Sequence, residues 1–111
     1  MNIQDTQKNG VSVVQLSGSI DALTAPAITE HLGALISSGQ IRLVVDLSGV
    51  DFTSSAGLRL LLGAVKDARA GGGDLRLAAV QPDVMKLLKI SGFTNILKLF
   101  ETVDEAVASF E

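Results

Sequence analysis

The sequence predicts an α/β domain with a mostly parallel sheet, an antiparallel N-terminal pair, about five strands and four helices. Apolar, β-branched segments alternate along the chain with segments whose apolar residues recur at helical spacing, a pattern typical of a parallel sheet. Asn9-Gly10, between the first two strand-like segments, is instead a hairpin turn signal. The chain has 111 residues, 47% of them hydrophobic, so residues 1–111 are interpreted as a single domain with its own core.

The N-terminal part contains the antiparallel pair and the first helix. A short strand is expected around Ile3 to Thr6, and the loosely alternating segment Val11 to Ser17 is expected to be the second. Thr24 is a candidate N-cap, Pro26 is tolerated in the first helical turn, and Gly39 ends the helix. The apolar residues of this helix recur at Ile28, Leu32, Leu35 and Ile36.

The middle of the chain predicts a strand, a helix and a second strand. Ile41 to Leu47 is apolar nearly throughout, which suits a strand buried on both faces of a sheet. A helix after Ser55 is expected to run to about Ala70, where Gly71-Gly72-Gly73 stops it. Asp74 to Val80 is then expected to form another strand.

The C-terminal part predicts two helices with a strand between them. Pro82 opens a short helix that Ser91-Gly92 breaks, and Ile96 to Phe100 is the expected last strand. Thr102 followed by Glu105 has the spacing of a capping box and predicts the start of the final helix. The apolar face of that helix consists of Val103, Ala106, Val107 and Phe110.

Two predicted loops should lie side by side. Gly18 to Asp21 and Asp51 to Ala56 each follow a strand, and the loops beyond the carboxyl ends of parallel strands share one edge of the sheet. Ser54 and Ser55 lie where a strand stops and a helix starts, and the unpaired N–H groups of a helix start can hold a phosphate. From the residues alone, Ser55 is by default an N-cap; the alternative is a regulatory serine, whose phosphorylation adds a charge of roughly −1.5 to −2.

Composition argues against several classes of function. The nine basic residues are scattered and Tyr and Trp are absent, so neither nucleic acid nor a membrane is expected as a partner. Without cysteine there is no disulfide, thiolate metal site or cysteine nucleophile. The N-terminus lacks the pattern of a secretory signal, and no apolar stretch is long enough to span a bilayer. A cytoplasmic location is therefore expected.

An enzyme is the first alternative class. Thr53 to Gly57 is half of a Gly-x-Ser-x-Gly nucleophile elbow and lacks its first glycine. The single histidine, His31, precedes the serine, whereas it follows the serine in α/β-hydrolases, and it is expected on a helix surface. Gly71-Gly72-Gly73 precedes a strand and is not a phosphate loop. No cluster has metal-ligand spacing, so no catalytic residue, metal or cofactor is expected.

Three segments resemble the STAS domain family, and within it the small bacterial anti-sigma factor antagonists. The middle one, Val44 to Leu58, is the most specific, and together the three are distributed from Leu16 to Phe93. The outer two are Leu16 to Asp21 with Thr24-Ala25-Pro26, and Gly72 to Leu75 running into Pro82 and Leu87, with Ser91-Gly92-Phe93 later.

The resemblance implies a binding module controlled by phosphorylation. Members bind an anti-sigma factor that is also a serine kinase, and this binding releases a sigma factor; the kinase phosphorylates the antagonist, and a serine phosphatase acting on the phosphorylated form restores binding. The family motif Asp-Ser-Ser/Thr-Gly aligns with Ser54-Ser55-Ala56-Gly57, which implies Ser55 as the acceptor, with Ser54 as the alternative. The residues expected to contact the partner are Asp21, Asp51, Thr53, Ser54, Ser55, Ala56 and Gly57.

Two further expectations and two open alternatives complete the sequence analysis. Gly57 is expected to let the helix start approach a partner backbone, while Leu58 is expected to pack inward. Leu60 and Ala64 either face a partner or pack against another helix. The alternative function is a STAS interaction module for a different partner, in a stress-sensing or lipid-transport complex, without a phospho-switch.

Overall fold

The alternation of strand and helix signals produces a five-stranded sheet in the order β1-β2-β3-β4-β5. The computed structural model describes residues 1–111. Its strands are β1 (Asn2–Lys8), β2 (Val11–Ile20), β3 (Arg42–Thr53), β4 (Asp74–Ala78) and β5 (Leu99–Phe100). Its helices are α1 (Ala25–Ser37), α2 (Ser55–Ala70), α3 (Pro82–Ile90) and α4 (Val103–Ala108), with a 3₁₀ turn at Phe93–Asn95. β1 pairs antiparallel with β2 and all other neighbours pair parallel, so the predicted fold class is confirmed.

Different helices cover the two faces of the sheet. Leu43 and Val45 on β3 belong to the larger core cluster, together with residues of α1, α2 and α3. Val44, between them, belongs to the smaller cluster on the other face, with Ala106 and Val107 of α4. All three β3 side chains are fully buried. Alternate side chains of β3 therefore enter the two clusters. This confirms the strand buried on both faces that the apolar run predicts.

Leu60 and Ala64 pack inside the molecule. Both are 8% exposed and belong to the same core cluster as Ile28 and Leu32 of α1. Of the two alternatives left open by the sequence, packing against another helix is therefore the one observed. Leu58 is also buried, as predicted.

β2 and β3 are longer than the sequence pattern predicts. They continue to Ile20 and Thr53, which pair with each other. The predicted loops Gly18 to Asp21 and Asp51 to Ala56 therefore lie mostly in paired strands and, beyond Ser54, in α2. Two register shifts along β2 accommodate the polar and glycine residues that interrupt the apolar alternation. Pairing thus continues where the side-chain pattern predicts a loop.

The last two strands are shorter than predicted. β4 ends at Ala78 rather than at Val80, because Ala79 has a left-handed backbone with φ of 56°. β5 has two residues and does not begin at Ile96. Residues 93–95 instead form the 3₁₀ turn, and the backbone N–H groups of Ile96 and Leu97 donate hydrogen bonds to Phe93 O.

The predicted cap of α4 is observed, whereas the predicted cap of α1 is not. The Thr102 hydroxyl accepts a hydrogen bond from Glu105 N at 3.1 Å, as the capping box predicts for α4. The Thr24 hydroxyl does not cap α1. Instead, Asp21 Oδ1 accepts hydrogen bonds from the backbone N–H groups of Leu23 and Thr24 at 2.9 and 3.1 Å. The carboxylate organises this turn because aspartate readily accepts from N–H groups two residues on.

Candidate functional site

The two serines between β3 and α2 have different structural roles. Ser54 has an extended backbone and is the N-cap of α2, its hydroxyl accepting a hydrogen bond from Ala56 N at 3.2 Å. Ser55 is the first residue of the helix and is exposed. The default interpretation of Ser55 as the N-cap is therefore wrong, because the helix begins at Ser55, one residue earlier than that assignment requires. Ser54 occupies the capping position.

The Ser55 hydroxyl is chemically available. It makes no hydrogen bond to any other group of the chain, whereas the half-buried Ser54 hydroxyl is engaged by the backbone. The positive end of the α2 backbone adjoins Ser55, so a negative group attached there gains a modest stabilisation of about 0.3–1 kcal/mol. Of the two hydroxyls, that of Ser55 belongs to an exposed residue and is free of a capping hydrogen bond.

Thr53 and Gly57 support this helix start from inside the molecule. Thr53 is 4% exposed, and Gly57 is buried beneath the first turn of α2. A Cβ on Gly57 would overlap Thr53 Oγ1 and lie 2.7 Å from Cγ2 of Ile20. The close approach at Gly57 is thus internal, between α2 and the ends of β2 and β3, and not to a partner backbone as predicted. Thr53 and Gly57 hold the position of Ser55 and present no side chain to the surface.

The ends of β2 and β3 lie side by side, as predicted. Ser54 N donates a hydrogen bond to Ile20 O at 2.8 Å, and the Ser19 hydroxyl donates to Asp51 Oδ1 at 3.3 Å. We call this edge, residues 19–24 together with 51–56, the carboxyl rim. Asp21 is half-buried within it and Asp51 is exposed. The rim therefore brings the expected acidic residues and both serines to one end of the sheet.

The carboxyl rim also exposes apolar side chains. Leu23, in the turn held by Asp21, is 90% exposed, and Phe52 at the end of β3 is 52% exposed. A groove of about 560 Å³ runs from this turn between the first turns of α1 and α2, and Ala56 and Arg59 line it. We did not predict Leu23, Phe52 or Arg59 as site residues from the sequence. The available signal was a large apolar residue, Leu23, in the short turn between Asp21 and Thr24.

The other groups considered from the sequence lie apart from Ser55. His31 Nε2 lies 2.7 Å from Asp5 Oδ1, which joins α1 to β1, and it makes no hydrogen bond to Ser55. No three His, Asp or Glu side chains are grouped so that they could hold a metal ion. None of the helices combines the length and apolar character needed to cross a bilayer.

A buried ion-pair network lies at the opposite end of the parallel strands. Asp74, 7% exposed at the start of β4, accepts hydrogen bonds from Arg69 Nε at 2.8 Å and Arg76 Nε at 3.1 Å. Burial raises the pKa of Asp74, but the hydrogen bonds from Arg76 and Arg69 outweigh it, so that its pKa is lowered. Arg76 also stacks on the ring of Phe110, 3.9 Å from its centroid. This network joins elements of the fold and takes no part in the carboxyl rim.

Comparison with known proteins identifies relatives over nearly the full chain. Residues 2–106 match the model of the STAS domain. BtrV of Bordetella bronchiseptica is 33% identical over 103 residues, 93% of this chain and 89% of that protein. The anti-sigma F factor antagonist of Paenibacillus polymyxa is 30% identical, over 100% of this chain and 97% of that one. The crystal structure of an anti-sigma factor antagonist from Mycobacterium paratuberculosis is similar, with a TM-score of 0.89 at 31% identity over 97% and 92% of the two chains.

Proposed function

This chain belongs to the STAS domain family, and from that premise we propose that it is an anti-sigma factor antagonist. It binds an anti-sigma factor that is also a serine kinase, and the sigma factor held by that kinase is released. The names of relatives that align over nearly their full length support this class of partner. The observation that carries the proposal is the exposed and unbonded hydroxyl of Ser55 at the start of α2.

Phosphorylation of Ser55 switches the binding off. The Ser55 Oγ attacks the γ-phosphorus of ATP, the bond to the ADP oxygen breaks, and the hydroxyl proton passes to a base of the kinase. The product carries roughly −1.5 to −2 additional charge at neutral pH. A partner surface that accepts a neutral hydroxyl must then bury or oppose that charge. A loss of about 3 kcal/mol weakens binding more than 100-fold, which exceeds the small gain from the helix end.

A serine phosphatase resets the switch. Water attacks the phosphorus of phosphoserine 55 and the bond between phosphorus and Ser55 Oγ breaks. Inorganic phosphate is released, and Ser55 Oγ takes up a proton that the water gives up, which restores the hydroxyl. Ser55 lies at the surface, so the same exposure that admits the kinase admits the phosphatase. The partner contacts that we propose are made by the exposed part of the carboxyl rim around Asp51 and Ser55, with Asp21 holding the neighbouring turn.

The test combines phosphorylation by a purified anti-sigma factor of the serine-kinase class with measurement of its binding to this chain. We expect mass spectrometry to place the phosphate on Ser55. Ser55→Ala should abolish labelling while its dissociation constant stays within about threefold, and Ser55→Asp should weaken binding by at least tenfold. Ser54→Ala is the matched control: it removes the neighbouring hydroxyl and should leave the labelling of Ser55 intact.

Three outcomes would count against the proposal. Phosphate found only on Ser54 would overturn the assignment of Ser55 as the phosphate acceptor. Equal dissociation constants for the phosphorylated and unphosphorylated chain would overturn the switch. An absence of labelling by kinases of this class, together with binding to another kind of protein, would favour a STAS module without a phospho-switch.

A further inference from the structure

Arg59 lies one helical turn beyond Ser55. Residues at positions i and i+4 of a helix have Cβ atoms about 5–6 Å apart on the same face, so the Arg59 side chain can reach the Ser55 hydroxyl. Arg59 is exposed, and it forms neither an ion pair nor a hydrogen bond within the chain. Its guanidinium is therefore uncommitted in the unphosphorylated molecule.

The charges around Ser55 make Arg59 distinctive. The carboxyl rim contributes the carboxylates of Asp21 and Asp51, and Glu30 of α1 lines the same groove as Arg59 without pairing with it. Arg59 is the single cation among the rim and groove residues. A dianion on Ser55 would thus meet acidic neighbours and one basic side chain, and its preferred orientation is toward Arg59.

We propose that Arg59 binds the phosphoryl group of phosphoserine 55 and holds it against the first turn of α2. This inference rests on the proposed phosphorylation of Ser55 and adds to it the residue that recognises the phosphate. The planar guanidinium presents two parallel N–H donors, which match two phosphate oxygens better than an ammonium group does. Arg59 also lines the groove beside Ala56, so the pairing places the phosphate at the edge of that groove. Phosphorylation then alters the groove as well as the charge of the rim.

The test uses the full chain with phosphoserine installed at position 55 during translation, so that neither a kinase nor a binding partner is needed. The second ionisation of the phosphate, ordinarily near pH 6, is followed by phosphorus NMR. A neighbouring cation favours the dianion, so the acid dissociation constant should be about two- to tenfold larger in the parent chain than in Arg59→Gln. Arg59→Lys should retain part of the effect, because it keeps the charge and loses the planar fork.

Lys66→Gln is the matched control, because Lys66 is exposed further along α2 and its substitution removes the same charge. It should leave the phosphate titration unchanged, and added salt should reduce the effect of Arg59. Equal acid dissociation constants of the phosphate in the parent chain and in Arg59→Gln would overturn the proposal. A change caused by Lys66→Gln as large as that caused by Arg59→Gln would also overturn it. A chain that no kinase labels at Ser55 would count against the proposed function while leaving this titration as predicted, so the two failures are distinguishable.

Discussion

At the scale of single residues, Gly57 joins the candidate site to the core. It is buried under the first turn of α2, where the ends of β2 and β3 leave no room for a methyl group. A glycine is therefore required there by contact within the molecule. The contact of Gly57 with Thr53 and Ile20 holds the first turn of α2 against the ends of β2 and β3. Ser55, two residues before Gly57, is thereby held at the surface.

Gly57→Ala should destabilise the chain by about 1–3 kcal/mol, because the added methyl group overlaps Thr53 and Ile20. The measurement is the free energy of unfolding in urea. Gly63→Ala is the matched control on the same helix: its added methyl group meets no atom within 4 Å and should stabilise the chain by about 0.5–1 kcal/mol. Equal effects of the two substitutions would contradict this account of Gly57.

Leu23 tests whether the apolar part of the carboxyl rim contacts the proposed partner. It is 90% exposed, so Leu23→Ser should leave the free energy of unfolding within about 0.5 kcal/mol of the parent chain. Burial of the leucine in a complex predicts a loss of at least about 1 kcal/mol, or fivefold, in affinity for the anti-sigma factor.

Ile90→Ser provides the control for Leu23, because Ile90 is 76% exposed at the end of α3, outside the rim. It should leave the dissociation constant unchanged. If both substitutions weaken binding equally, the loss of affinity reflects the removal of any exposed apolar side chain. That outcome would contradict a contact between Leu23 and the partner.

At the scale of elements, the buried carboxylate of Asp74 ties α2 to β4 and, through Arg76, to the end of α4. Arg69 reaches it from the last turn of α2, and Arg76 continues to Ser109 O at 2.6 Å. The pKa of Asp74 is lowered in the folded chain. The stabilisation is therefore present above the ordinary pKa of 3.8 and is lost as the pH falls through the lower folded-state pKa.

Asp74→Asn should lower the free energy of unfolding by about 2–3 kcal/mol at pH 7, because it leaves the mostly buried Arg76 cation without its carboxylate. The difference from the parent chain should shrink as the pH is lowered below 3.8, which urea unfolding at several pH values measures. Asp67→Asn is the control, since Asp67 is an exposed carboxylate of α2 outside any ion pair. A cost for Asp74→Asn that does not change with pH would contradict the ion-pair explanation.

At the scale of the whole molecule, the sheet separates two kinds of polar structure. The carboxyl ends of β2 and β3 carry the exposed rim with Ser55, whereas the amino end of β4 carries the buried Asp74 network. This separation follows from the parallel arrangement of β2 to β5, which all point the same way. The phosphorylation proposed for Ser55 would therefore take place at the end of the sheet away from the Asp74 ion pairs.

The order of the elements was predictable from sequence because its signals are local. The apolar run Ile41 to Leu47, the hairpin signal Asn9-Gly10 and the stop at Gly71-Gly72-Gly73 each act over a few residues. Strand ends were less predictable. β2 and β3 continue to Ile20 and Thr53 because backbone pairing persists across register shifts, and side-chain alternation does not record that pairing.

The sequence by itself determined the fold class, the meeting of two chain segments at one edge and the position of Ser55 at a helix start. Only the tertiary structure decided that Ser54 caps α2, that Gly57 is needed inside the molecule, and that Leu60 packs against α1. These outcomes depend on contacts between segments that are distant along the chain. Neither spacing nor composition specifies the distance between α2 and the ends of β2 and β3, because that distance is set by packing of the whole core.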